Sequence, residues 1–145
     1  VIDNLPGGVS VKAYKSTDKG VSLLVTTSTG QKIFHAGDLN DWTWSEESTE
    51  REIRKADEEF KVIVNHIASE VPAVDIAMFP VDVRQGADYA RGARYFLQTI
   101  KVHDFFPMHF NGDYHKACDF ADYAPEGVSC HCLHEPGESI ELSKV

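Results

Sequence analysis

Ile33-Phe34-His35-Ala36-Gly37-Asp38-Leu39-Asn40-Asp41-Trp42 marks the point at which this chain changes period. On its N-terminal side the sequence alternates as strands do. Val9 to Tyr14 reads as one strand, Lys15 to Gly20 as a turn, Val21 to Thr27 as a second strand and Gln31 to Ala36 as a third. Val1 to Gly8 reads as a loop, and the chain opens on Val1 without Met, as a trimmed fragment would. The short connections predict a meander of neighbouring strands.

Beyond Trp42 the spacing becomes helical. Glu46 to Ser69 carries Ile53, Ala56, Phe60, Ile63, Val64 and Ile67 at intervals of three and four, the stripe of an amphipathic helix. Val74 to Phe79 reads as a buried strand closed by Pro80. Ala87 to Ile100 reads as a helix with Ala90, Ala93, Arg94 and Leu97 along one side, and Val102 to Phe106 as a strand stopped by Pro107. A short helix over Tyr114 to Tyr123 and strands over Val128 to Leu133 and Ser139 to Leu142 complete the chain. Three strands followed by helix–strand–helix–strand–helix predict an α/β fold, a mixed sheet with helices on one face. The Ile76 to Phe79 and Phe105-Phe106 strands are apolar on both faces, the pattern of a sheet buried from both sides, so something else is expected to cover the second face.

The 145 residues suit one domain, spanning 1–145. A formal charge of −9, with no basic cluster, argues against a nucleic-acid or anionic-membrane partner. No apolar run nears the ~20 residues of a membrane span, and no signal peptide opens the sequence. Three cysteines are too few for a disulfide scaffold, so the expectation is a cytoplasmic protein with free thiols.

Polar residues gather where strands end: His35 to Trp42 after the third, Pro80 to Gly86 after the fourth, Pro107 to Phe110 after the fifth. Loops converge at such ends on a rigid frame. Asp38 and His109, a carboxylate and an imidazole at two of them, suit a Zn-type ion with N/O ligands. Gly37-Asp38 also reads as a plain turn pair.

These segments resemble the metallo-β-lactamase superfamily of metal-dependent hydrolases: Ile33 to Trp42, Val74 to Arg84 and Phe105-Phe106-Pro107-Met108-His109-Phe110 carry the likeness, which runs from about Val9 to Phe110. The resemblance implies an αβ/βα sandwich whose two sheet-plus-helix halves bury their sheets against each other, with this chain as the C-terminal half. Residue by residue, Asp38 matches the aspartate that bridges two metal ions and His109 the final histidine ligand. Where the family places a histidine before the second strand, this chain has Lys15-Ser16-Thr17-Asp18, which makes Asp18 the substitute ligand. The family's His-x-His-x-Asp-His run, with its water-orienting aspartate, is absent from the seven histidines here.

What the resemblance implies is therefore a hydrolase with one or two divalent ions, zinc foremost, acting on a small-molecule substrate the sequence does not name. The 145 residues alone are expected to be inactive until the missing N-terminal half, or a second copy of the chain, completes the site. The alternative is a non-catalytic half-fold that pairs with a partner or with itself. Around the ligands, His35 is read either as a partner that orients Asp38 or as a strand histidine bonded to backbone. Asp41 is read as a site residue or a helix cap, Trp42 and Trp44 as cleft walls or packing. Asp82 and Arg84 either contact an anionic substrate or pair with each other. Farther on, Cys130, Cys132 and His134 alternate onto one strand face. They read as buried cysteines beside a surface histidine, since a structural zinc site draws paired ligands from two segments.

Overall fold

A computed structural model describes residues 1–143. Its seven strands form one sheet in strict chain order: β1 (Ile2–Leu5), β2 (Val9–Lys15), β3 (Val21–Thr26), β4 (Lys32–His35), β5 (Ala73–Pro80), β6 (Lys101–Met108) and β7 (Ser129–Cys130). β1 to β4 pair antiparallel and β4 to β7 parallel. Helices α1 (Glu50–Glu70) and α2 (Arg91–Thr99) cross from β4 to β5 and from β5 to β6, and α3 (Tyr114–Cys118) runs into a 3₁₀ turn before β7. Parallel crossovers are right-handed, so a strand order that always advances in one direction puts every crossover helix on the same face. The mixed α/β sheet with one helical face is the expected architecture.

Several boundaries differ from the sequence reading. The N-terminal loop is β1, because the Gly7-Gly8 turn folds it back on β2, with the Gly8 amide donating to the Leu5 carbonyl at 3.0 Å. Helix α1 starts later than Glu46. Thr49 caps it, accepting from the Glu52 amide while the Glu52 carboxylate accepts from the Thr49 amide, a reciprocal capping box. The segment before α2 is a 3₁₀ stretch, Val83–Asp88, kinked at Gly86. Strand β6 continues through Pro107, whose missing N–H is no loss near the end of a ladder. Val128 to Leu133 contracts to the two-residue β7, and Ser139 to Leu142 forms no strand.

The buried side of α1 is Phe60, Ile63, Val64 and Ile67. That of α2 is Gly92, Ala93, Phe96 and Leu97, whereas Arg94, expected on the inner side, lies over the Tyr123 ring at 5.6 Å. Phe96 joins the layers. Its ring stacks on Phe34 of β4 at 5.3 Å and on Phe79 of β5 at 4.6 Å, and Phe60 meets Phe79 edge-on.

Register fixes what each face of the sheet carries. One row runs Leu24, Phe34, Ala77, Phe105, Cys130 and lies under the helices. The row of opposite parity runs Leu23, His35, Met78, Phe106, beside Val11, Val25, Ile33 and Ile76. The apolar residues of this second row are only half-buried, and among the described residues no helix packs on them.

Candidate metal centre

The loop after β4 is held in place from three sides. Gly37 takes φ +58, and a Cβ there would stand 2.7 Å from the Val21 carbonyl oxygen, so only glycine turns the chain into Asp38. Thr17 Oγ1 donates to the Asn40 carbonyl at 2.7 Å and accepts from the Asn40 amide at 3.0 Å. Gln85 reaches across from the loop after β5: its Oε1 accepts from Asn40 Nδ2 at 2.8 Å, and its Nε2 donates to the carbonyls of Asp41 and Thr43 at 2.8 and 2.9 Å. Asn40 and Gln85 are almost fully buried. Neither signals a role in the sequence, because a lone amide has no motif and its partner lies far along the chain.

His109 follows the last residue of β6 with φ +68, a left-handed conformation uncommon outside glycine. Its Nδ1 lies 2.9 Å from Asp82 Oδ2 and its Nε2 lies 3.5 Å from Asp38 Oδ1. Asp82 is fully buried and also accepts from Arg84 Nε at 2.9 Å and Arg84 Nη2 at 2.5 Å. Burial would push the Asp82 carboxyl up, but bonds from the Arg84 side chain and amide and from His109 outweigh it and hold the group below its ordinary value. A carboxylate is thus fixed behind the imidazole, beside Nδ1, and Nε2 is the ring nitrogen on the side of Asp38.

The two contacts differ in kind. At 3.5 Å the Nε2 to Oδ1 gap exceeds a normal N–H···O bond of about 2.7–3.2 Å. It is close to the spacing of two ligands on one ion, since bonds of about 2.0–2.1 Å in a tetrahedral set separate N and O donors by roughly 3.3–3.4 Å. The donor set fits a divalent cation.

Trp42 bounds the site. Its indole N–H donates to the Asp38 carbonyl at 2.8 Å, its ring lies 5.3 Å from that of His109, and it stacks on Trp44. Both tryptophans line a cavity of about 360 Å³ with Thr17, Asp18, Arg84 and His109. Asp18 therefore shares the cleft, but among the described residues its carboxylate does not close a tight three-ligand group with Asp38 and His109. His35 takes the backbone alternative, its Nδ1 accepting from the Gly37 amide at 3.0 Å. Asp82 and Arg84 pair with each other, and Arg84 stays half-exposed at the cleft.

Asp41 is not a helix cap. It is buried behind the loop and forms an ion pair with Arg91 Nε at 3.1 Å, while Arg91 Nη2 donates to Asp57 at 3.0 Å. Burial pushes the Asp41 carboxyl up to about 7; Arg91 opposes this and Asp57 adds to it. A carboxyl raised in the folded state holds a proton there that the unfolded chain has already lost, so this group makes stability fall as pH rises from about 4 to about 7. Asp41→Asn removes the titrating group and should flatten that slope, and urea titrations of both proteins from about pH 4.5 to about pH 8 read the difference. Parallel curves would show that Asp41 does not carry the proton.

No family model matches the chain, and no curated protein matches it. Solved structures do. A "putative metal-dependent hydrolase" from Parabacteroides distasonis superposes with a TM-score of 0.51 at 16% identity, over 85% of this chain and 49% of the other. The E377D mutant of the β-hydroxylase CmlA superposes with a TM-score of 0.56 at 9% identity, over 88% of this chain and 30% of that one. At these identities the likeness is one of fold. The chain spans about half the length of the first and less than a third of the second.

Proposed function

We propose that this chain supplies one side of a metal-dependent hydrolase centre of metallo-β-lactamase type, with Asp38 and His109 as ligands. The observation that carries the reading is the 3.5 Å approach of His109 Nε2 to Asp38, with Nδ1 tied to buried Asp82. The two neighbours of like fold, described as metal-dependent hydrolase and β-hydroxylase, support it. Zinc is the cation of choice for this N/O pair. When bound, such an ion lowers the pKa of a water and polarises the bond to be cleaved.

This chain's residues do the positioning. Asp82 holds the His109 ring by its Nδ1, with Nε2 on the side of Asp38. Gln85 and Thr17 hold the Asp38 loop, and the Trp42-Trp44 pair walls one side of the cleft against water. Arg84 offers a cation to an anionic small-molecule substrate. Two ligands are fewer than the about three protein ligands of a catalytic zinc site. The remaining ligands come from a complementary half or a second copy of this chain, seated on the open sheet face. The apolar row of Leu23, Met78 and Phe106 with Val25, Ile33 and Ile76 supports that partner, because an apolar face of this kind marks an interaction surface. The same face supports the second reading, a half-fold that pairs without catalysis.

Native mass spectrometry of the chain, oxidised at its cysteines and loaded with Zn²⁺, tests the ligands and the pairing together. The expected spectrum shows an assembly larger than one chain that keeps its zinc, with retention lost in Asp38→Ala and His109→Ala. Equal retention in both variants would overturn the ligand assignment. An assembly without zinc would leave the non-catalytic pairing, and a monomer would refute a second copy of this chain as the occupant of the open face.

A further inference from the structure

A second set of ligands lies elsewhere, at the end of α3. Cys118 and Cys132 are paired as a disulfide, which corrects the expectation of free thiols. His134 stands beside them, with one ligand atom from each of the three within 4.8 Å of the others. The sequence groups Cys130 with Cys132 and His134, but the strand ends at Cys130, which turns under the helices, where burial pushes its thiol up to about 11. Cys118 takes its place because α3 packs back against the segment after β7. Cys132 Sγ is 3.9 Å from the Tyr114 carbonyl at the start of the helix, and the Tyr114 ring meets His134 edge-on at 5.1 Å.

A disulfide needs no third partner. Yet His134 is held in place: its Nδ1 lies 3.4 Å from Glu138 Oε1, and the other oxygen of Glu138 accepts from the His134 amide at 2.6 Å and the Glu135 amide at 3.3 Å. A carboxylate at ion-pair distance from the imidazole, with one ring nitrogen within 4.8 Å of both sulfurs, is a partner that can orient a histidine on a metal. Two segments supply the ligands, as in structural zinc sites.

We infer that, once reduced, Cys118, Cys132 and His134 bind a thiophilic divalent cation of the zinc class, so that this corner of the fold alternates between a disulfide and a metal site. Zinc-bound thiolates stand roughly 3.7 Å apart, from Zn–S bonds of about 2.3 Å in a tetrahedron, so the sulfur–sulfur bond must open first. A thiol reductant does this: two of its thiols become one disulfide, and their two electrons and two protons leave Cys118 and Cys132 as thiols. The cation then displaces both thiol protons, and water fills the fourth position.

Cobalt(II) titration of the whole chain, reduced with dithiothreitol and freed of it anaerobically, tests this apart from the Asp38–His109 centre, which has no sulfur. The expected result is a thiolate-to-cobalt charge-transfer band that saturates at one equivalent and is displaced by Zn²⁺. Cys132→Ser should abolish it, His134→Ala should weaken binding at least about tenfold, and Cys130→Ser should leave it unchanged. Absence of the band with free thiols confirmed by titration would overturn the inference. So would a band that survives Cys132→Ser, or a disulfide that dithiothreitol leaves intact in the folded chain.

Discussion

Asp82→Ala is expected to lower zinc affinity at the Asp38–His109 pair by about 10- to 100-fold while leaving the chain folded, the usual loss when the partner behind a ligating histidine is removed. Position is what makes the effect large. Asp82 is fully buried behind His109, and its Oδ2 lies 2.9 Å from Nδ1. Without it the imidazole is free to rotate and to place its proton on Nε2, the nitrogen that faces Asp38. Arg84 loses its partner too; its side chain is 55% exposed and can rehydrate, and the lost cap bond to its amide costs about 0.5–2 kcal/mol of stability. Asp82→Asn keeps an acceptor at the same place and should recover part of the affinity. Two measurements separate orientation from general damage: competition titration against a zinc dye, and nitrogen NMR of the His109 ring, which reports the tautomer. A variant that binds zinc as the parent does would show that Asp82 serves only Arg84.

The second large effect is in the core. Phe96→Ala should lower the unfolding free energy by about 3–5 kcal/mol, the range for deleting a buried aromatic side chain. Phe96 is fully buried and stacks on two strands at once, Phe34 of β4 and Phe79 of β5. Its removal opens a cavity between helix and sheet that neither ring can fill, since both are anchored in strands paired on either side. Urea unfolding with unchanged slope checks it. A loss below about 1 kcal/mol would mean that α2 collapses into the space.

How much is legible in the sequence depends on the range of each signal. The strand meander, α1 and the order of elements come from periods of two and 3.6 over six or more residues, and the fold keeps them. Phe96 escapes a stripe drawn through Arg94, which is one position out of phase with Ala93 and Leu97. The start of α1 depends on a cap at Thr49 that competes with an acidic run beginning three residues earlier. Asp38 and His109 stand out because glycine and proline punctuate the strand ends. Their meeting depends on parallel pairing, which no local pattern encodes. Least visible are Asn40, Gln85 and Cys118, each defined by a partner remote in sequence.

The bonds that shape the cleft join residues 23, 27 and 45 positions apart: Thr17 to Asn40, Asp82 to His109, Asn40 to Gln85. Closing loops of such different lengths differs little in entropy, because the cost rises only with the logarithm of length. Their timing is another matter. The Gln85 link needs β4 and β5 side by side and the Asp82–His109 link needs β6 as well, whereas the β1 to β4 hairpins close locally and early. The cleft therefore takes shape only after the parallel half of the sheet pairs, and a nascent chain released before β6 would carry the meander without His109 or its link to Asp82.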